Sequence, residues 1–371
     1  MIAIEPFPFV PVAVPNGPSR DDGAAMTTRA RLEAEGGWLR ANARDEEIAV
    51  RGPRDAPKSE ARASVGRCTG WQARPVGYRA RRMTLALDLV RLPDVPMTLA
   101  FSAGGALVAG LADGTMAWIE LARREIASVY RVTSSVDGRV ASVAVSPDGR
   151  LVAGAAHDGT LVVIDRASGA IVHRYERTDT LPTSGLAFTR DGRFLAVRGV
   201  DACWLLETRG WTERWRTSLE GGRAIALGGA DTLWIADCDA DGYRARQLDV
   251  DGQTIAQWPM ALIGASPDGY SLAVSAEDTT EILSAQTGVV EAALPSARCV
   301  ALGSLGRWAL ASWRATIDYG RLGSAGDELS VIDPDTGRAY AACSAVAWDA
   351  RGRLAWAAGR HVAVTCAPLS L

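Results

Sequence analysis

Lysine is nearly missing from this chain: Lys58 is the only one, and the other 39 basic residues are arginine. That bias points to a GC-rich coding sequence rather than to chemistry. Histidine is scarce, with 3 residues. The 6 cysteines (68, 203, 238, 299, 343, 366) form no CxxC pair and no metal-like spacing with histidine. Buried free thiols are the expectation, with no resident metal or cofactor. No apolar run reaches the roughly 18 residues of a membrane helix. The opening MIAIEPFPFVPVAVPNGPSR lacks a positive n-region and is broken early by proline, a poor secretory signal, so the cytoplasm is the expected location. No Ser-His-Asp order, phosphate-binding glycine loop or dinucleotide fingerprint occurs, and Gly-rich stretches such as Leu227-Gly228-Gly229 fall at turns. Net charge is −3, split into +4 over residues 1–82 and −7 over the rest, which argues against nucleic acid as the main partner.

What is present is a repeat. Seven near-copies of one pattern fill residues 84–371, the cleanest being VASVAVSPDGRLVAGAAHDGTLVVIDRASGAIVHRY at 140–175. Four apolar runs are separated by three turns: Ser146-Pro147-Asp148-Gly149, Asp158-Gly159 and Ala167-Ser168-Gly169. Proline presets φ, and glycine supplies the positive φ that tight turns need. Short Val/Leu/Ile runs between such turns read as antiparallel strands, here called a, b, c and d. The first turn recurs at Gly105, Gly149, Gly192, Asp231, Gly269, Gly306 and Gly352. A period near 40 residues with four strands per unit is the mark of a propeller blade. The second turn recurs at Asp113-Gly114, Asp158-Gly159, Asp201-Ala202, Asp241-Gly242, Asp278-Thr279, Gly326-Asp327 and Gly359-Arg360. Strand c then ends on an apolar residue followed by a polar, usually acidic, one: Ile119-Glu120, Ile164-Asp165, Leu206-Glu207, Leu248-Asp249, Leu283-Ser284 and Ile332-Asp333.

The expected fold is therefore all-β: a seven-bladed β-propeller of four-stranded antiparallel blades. The last copy has only three strands before Leu371, and the orphan run Leu85–Leu92 is expected to supply the fourth. Residues 83–93 would then be the closing outer strand, removing two open sheet edges. The two domains are 1–82, an Ala/Arg/Gly/Pro-rich extension expected to be largely disordered apart from one helix within Met26–Val50 broken at Gly36-Gly37, and 83–371, the propeller. A native start at Met83 is an equal alternative to a functional tail.

These residues resemble the WD-repeat and YVTN-type propeller superfamily, most clearly in SPDGRLVAGxxHDGTLxVID at 146–165. The apolar-acidic pairs stand where WD repeats carry Trp-Asp, and only Trp118-Ile119-Glu120 keeps a nearby tryptophan. The Gly-His dipeptide of typical blades is absent, so the chain resembles a divergent bacterial-type propeller. The resemblance implies a rigid ring most often used to bind protein; some relatives are enzymes, so fold alone does not settle function.

Four features are candidate sites. Between strands b and c of blade 6, the segment Trp313–Glu328 reads as a loop some ten residues longer than its counterparts, offering Trp313, Arg314, Tyr319 and Arg321, the residue types enriched at interface hot spots. A neutral insertion explains it equally simply, since lengthening a loop costs only about 0.6 kcal/mol per doubling. Asp237, Asp239 and Asp241 match the D-x-D-x-D-G start of a calcium loop, but the later ligand positions are Ala245 and Leu248, so an acidic hairpin is the simpler reading. His157 and His361, with Asp113, Asp158 and Asp278 in the b–c turns, would be the groups of a propeller lactonase or hydrolase with a metal at the central channel; turn chemistry accounts for the same aspartates. His173 is expected to be exposed on an outer strand, and Trp118, Trp204, Trp215 and Trp258 to pack between blades. The function expected is a non-catalytic protein–protein interaction platform with an unidentified protein partner, no membrane and no catalytic residues.

Overall fold

The computed structural model describes residues 39–41, 47–50 and 83–369, except 137, 176–184, 200, 220–224, 228–230, 240–241, 277–278, 313–315, 325, 331–342 and 366–367. Seven antiparallel sheets form the blades of one ring. Blade 1 is built from Pro96–Phe101, Leu107–Leu111, Thr115–Glu120 and Glu125–Arg131. Its hydrogen-bonded order follows the chain, as it does in blades 2 to 6. Blade 7 takes strands a to c from Cys343–Trp348, Leu354–Ala358 and His361–Thr365 and its outer strand from Met83–Arg91. That strand runs antiparallel to His361–Thr365, with Leu87 opposite Thr365 and Arg91 opposite His361, and the Leu92 N–H donates to the Arg360 carbonyl at 2.7 Å. The ring is closed as expected.

Burial explains why the strands read as they do. Strands b and c are covered on both faces by neighbouring blades, so Leu107–Leu111 and Leu161–Asp165 are buried at every position. Outer strands are covered on one face, so Glu125–Arg131 alternates between exposed and half-buried. The core lies between blades: Met116, Trp118, Val140 and Val162 join blades 1 and 2, and Val90, Leu107, Ala355 and Val362 join blades 7 and 1. Close approach is possible because glycines sit on strand b. A Cβ on Gly110 would fall 2.6 Å from Val140 Cγ1. In blades 1 to 5 a bulge between strands c and d falls immediately before or within the apolar-acidic ending, as at Trp118/Ile119 and Val163/Ile164. A bulge bends the outer strand and adds twist.

Two expectations change. The extension adds strands Leu39–Ala41 and Glu47–Val50, with Glu47–Val50 paired to Met83–Ala86, inside the stretch expected to be helical. An open strand edge at Met83–Ala86 offers hydrogen bonds that outweigh a weak helical pattern interrupted by two glycines. In blade 6 there is no inserted b–c loop. Strand b is Arg307–Ala311, strand c is Thr316–Arg321 and strand d is Asp327–Ser330. The segment Thr-Ile-Asp-Tyr-Gly-Arg is a strand because Ile317 and Tyr319 alternate into the core while Asp318 and Gly320 break its apolar run. Gly326 therefore belongs to the c–d connection and Asp327 opens strand d, and Ile332-Asp333 lies outside the described residues.

Candidate functional site

Two rims carry the turns, one with the b–c and d–a connections and one with the a–b and c–d connections. On the first rim most candidate residues serve the ring. The Asp113 carboxylate accepts from both the backbone N–H and the hydroxyl of Thr115. The Asp158 carboxylate accepts from the Thr133 hydroxyl at 2.5 Å, tying the blade 1–2 connection to the b–c turn of blade 2. Burial pushes Asp158 up, but the hydrogen bonds from Thr133 and Thr160 outweigh it and hold the carboxyl below its ordinary value. These contacts lock blades in a chain lacking the Gly-His dipeptide. The His157 backbone N–H donates to the Arg139 carbonyl, and His361 is buried at the start of its strand. Asp278 lies outside the described residues.

In the acidic hairpin of blade 4, the first candidate aspartate is engaged within the fold. Asp237 belongs to strand Leu233–Asp239; its carboxylate pairs with Arg246 at 3.0 Å and accepts from the Cys238 N–H. Asp239 stands opposite Gly242 across a tight hairpin, and Asp241 lies outside the described residues. Among the described residues, no three His, Cys, Asp or Glu side chains are placed to hold a metal ion.

The four residues assigned to a blade 6 loop are separated. Trp313 and Arg314 fall between Ser312 and Thr316, outside the described residues. Tyr319 is 1% exposed and packs with Trp348 and Trp356 of blade 7, and burial raises its phenol well above the usual range. Arg321 ends strand c on the opposite rim, where its Nε donates to the Leu305 carbonyl at 3.0 Å. A six-residue strand spans the blade, so its two ends cannot share one loop. His173 is half-buried, not exposed: its ring stacks on Trp211 of blade 3 at 4.9 Å, and burial lowers its pKa. The tryptophans pack between blades as expected: Trp118 and Trp204 lie in the inter-blade core, the Trp215 indole N–H donates to the Val250 carbonyl of blade 4, and Trp258 covers Gly288.

Sequence reasoning did not single out Arg198, Tyr270 or Leu305. Arg198 is fully buried, its guanidinium donating to the carbonyls of Gly199, Ala202 and Ala236, which joins blade 3 to blade 4. Its position after a Phe-Leu-Ala-Val run on strand b was the available signal. Tyr270 and Leu305 are 73% and 64% exposed on the a–b rim. The available signal was that Leu305 stands where blades 2, 3 and 5 place Asp148, Asp191 and Asp268.

A family profile described as the Anaphase-promoting complex subunit 4 WD40 domain matches residues 107–188, which cover the last three strands of blade 1, blade 2 and the first strand of blade 3. Tricorn protease homolog 1 of Streptomyces coelicolor is 40% identical over 70 residues, 19% of this chain. The match spans 6% of the length of that relative. The β-propeller domain of Cps50 (Swd1) from Myceliophteria thermophila superposes with a TM-score of 0.62 at 17% identity, over 75% of this chain and 98% of that one. No helix among the described residues is long and apolar enough to cross a membrane. Residues 107–188 thus match a WD40 family profile, and the chain has the fold of a WD40-type seven-bladed β-propeller.

Proposed function

We propose that this protein is a non-catalytic, cytoplasmic interaction platform that binds a protein partner through the turns of its ring. The observation that carries this reading is the division of labour among its side chains. Asp113, Asp158, Asp237 and Arg198 are engaged in holding turns and blades together, while large apolar side chains such as Tyr270 and Leu305 are held out to solvent on rigid turns. Exposed apolar groups in a polar surround mark interaction sites. Trp313 and Arg314, which follow strand b of blade 6 in the sequence, are a second proposed contact. The likeness to Tricorn protease homolog 1 covers too little of that protein to bring an activity to this chain.

The test is capture by the full chain from native lysate, followed by titration of each purified candidate by calorimetry. Deleting 314–326 would remove a strand, so point substitutions are used: Trp313→Ala with Arg314→Ala, and Tyr270→Ser with Leu305→Gly. A partner that binds the wild type stoichiometrically and loses affinity for one variant supports the reading and names the rim. If no candidate binds the purified wild type more tightly than a heat-unfolded control, the platform reading is wrong.

A further inference from the structure

The a–b rim of blades 5 to 7 carries a surface whose chemistry is unlike that of the ring as a whole. Leu305 adopts φ 63°, a backbone region that leucine rarely enters, and its neighbour Gly306 has φ 72°. The equivalent aspartates, Asp148, Asp191 and Asp268, stabilise their own turns by accepting turn N–H groups. Leu305 has no side-chain acceptor. Its N–H donates instead to Asp268 Oδ2 of blade 5 at 3.1 Å, and its carbonyl accepts from Arg321 Nε at 3.0 Å. The other oxygen of Asp268 accepts the Tyr270 N–H at 3.2 Å. One carboxylate thus holds the backbones of both exposed residues, which ties the two turns together on this rim. Backbone strain at a side chain with little to cover it is retained only where the surrounding structure imposes it.

Three arginines lie on the same rim, in blades 6 and 7. Arg321 is bonded to Leu305, and Arg307 lies two residues along, packed so closely on Gly352 of blade 7 that a Cβ there would sit 2.7 Å from its Cζ. Arg351, beside Gly352, is exposed. None of these three guanidiniums forms an ion pair among the described residues, whereas Arg150, Arg193 and Arg353, which also follow a–b turn glycines, each pair with an aspartate. The nearby carboxylates are engaged: Asp268 by Ser266, Tyr270 and Leu305, and Asp349 by Arg353. Three arginines without an ion pair, on the rim that also exposes Leu305 and Tyr270, form a local reversal of sign in a propeller of net charge −7.

The geometry points to this surface as the docking site for an acidic peptide segment that carries an apolar anchor residue. Leu305 and Tyr270 receive the anchor; Arg307, Arg321 and Arg351 receive carboxylates, Arg351 with all its donors available. Arginine suits the role because its planar fork pairs bidentately with carboxylates. Opposite charge across an interface speeds encounter and selects the partner, while the apolar anchor supplies most of the affinity. The proposal rests on the platform reading and assigns it a rim and a partner chemistry.

The test is selection of a random 12-residue peptide phage library on the immobilised full chain. The enriched peptides are synthesised and titrated against wild type, Arg351→Glu, the Arg307→Glu/Arg321→Glu pair and Leu305→Gly. Glycine accepts the backbone of Leu305, so that variant keeps its melting temperature and serves as the folded control. The expected result is enrichment of peptides that combine several Asp or Glu with a Leu, Phe or Trp, and a loss of affinity of about tenfold or more in each variant. Added salt weakens the same binding. Enriched peptides that bind all variants as well as wild type overturn this docking site and leave the platform reading standing. No enrichment over the naive library overturns the docking site and counts against the platform. Binding of a dT20 oligonucleotide or of phosphatidylglycerol vesicles that is lost in Arg351→Glu, without peptide enrichment, replaces the acidic peptide by a polyanion.

Discussion

Closure of the ring by Met83–Arg91 makes a quantitative prediction. Val90 and Leu92 are 5% and 2% exposed and pack with Leu107, Ala355 and Val362, whereas Leu89, which precedes Val90 and faces the other way, is 36% exposed. Replacing Leu92 by alanine removes a fully buried side chain from a core with partners on two blades, which costs about 2–5 kcal/mol. Val90→Ala removes two methyl groups and costs about 1–2 kcal/mol at roughly 0.8 kcal/mol per carbon. Leu89→Ala changes stability by less than about 1 kcal/mol. For a ring of this size, each kcal/mol lowers the midpoint by about 1.5–2 °C. Thermal unfolding followed by circular dichroism is therefore expected to show a drop of about 3–10 °C for Leu92→Ala, a larger drop for the double variant Val90→Ala/Leu92→Ala, and less than about 2 °C for Leu89→Ala. The double variant also frees the His361–Thr365 edge, so aggregation on heating should begin earlier. Equal shifts for Leu89→Ala and Leu92→Ala, or a double variant that melts with the wild type, would refute the claim that this strand locks the ring.

Three further predictions follow from individual contacts. Gly110→Ala places a methyl 2.6 Å from Val140 and should destabilise by about 1–3 kcal/mol in urea titrations, while Gly264→Ala, with open space around its Cβ, should not. Asp158→Ala removes the acceptor of the Thr133 hydroxyl and should lower stability by about 1–2 kcal/mol; hydrogen exchange should show faster opening of the blade 1–2 connection. Burial, with the Glu328 carboxylate opposite it across the strands, raises Asp318 to about 6. The folded state then binds this proton more tightly than the unfolded chain does, so the contribution of Asp318 is full below the ordinary carboxylate range and is lost as pH rises towards 6. Asp318→Asn should raise the melting temperature at pH 7.5 and leave it unchanged at pH 3.5; a rise of the same size at both values would exclude titration as the cause.

The sequence by itself determined the architecture. Turns near every fortieth residue and runs of apolar residues between them specify strands buried on both faces, and a final unit short of one strand specifies where the ring closes. Those signals are local: glycine and proline act on their own backbone, and strands b and c are apolar at nearly every position. Blade 6 was misread for the same reason. Thr316–Arg321 carries Asp318 and Gly320, its apolar residues are only Ile317 and Tyr319, and nothing local distinguishes such a strand from a polar loop; its pairing with Arg307–Ala311 does. The candidate site depended almost wholly on tertiary structure. Arg321 and Tyr319 are two residues apart on one face of the strand, yet one is exposed and the other buried, because Tyr319 lies mid-strand under blade 7 while Arg321 ends the strand at the rim. Tyr270 and Leu305 are 35 positions apart in the chain, and their turns are joined because the Asp268 carboxylate accepts the backbone N–H of both. A propeller repeats its local pattern and places its turns side by side only once the ring has closed, so the sequence discloses the blades and the ring alone assembles the surface between them.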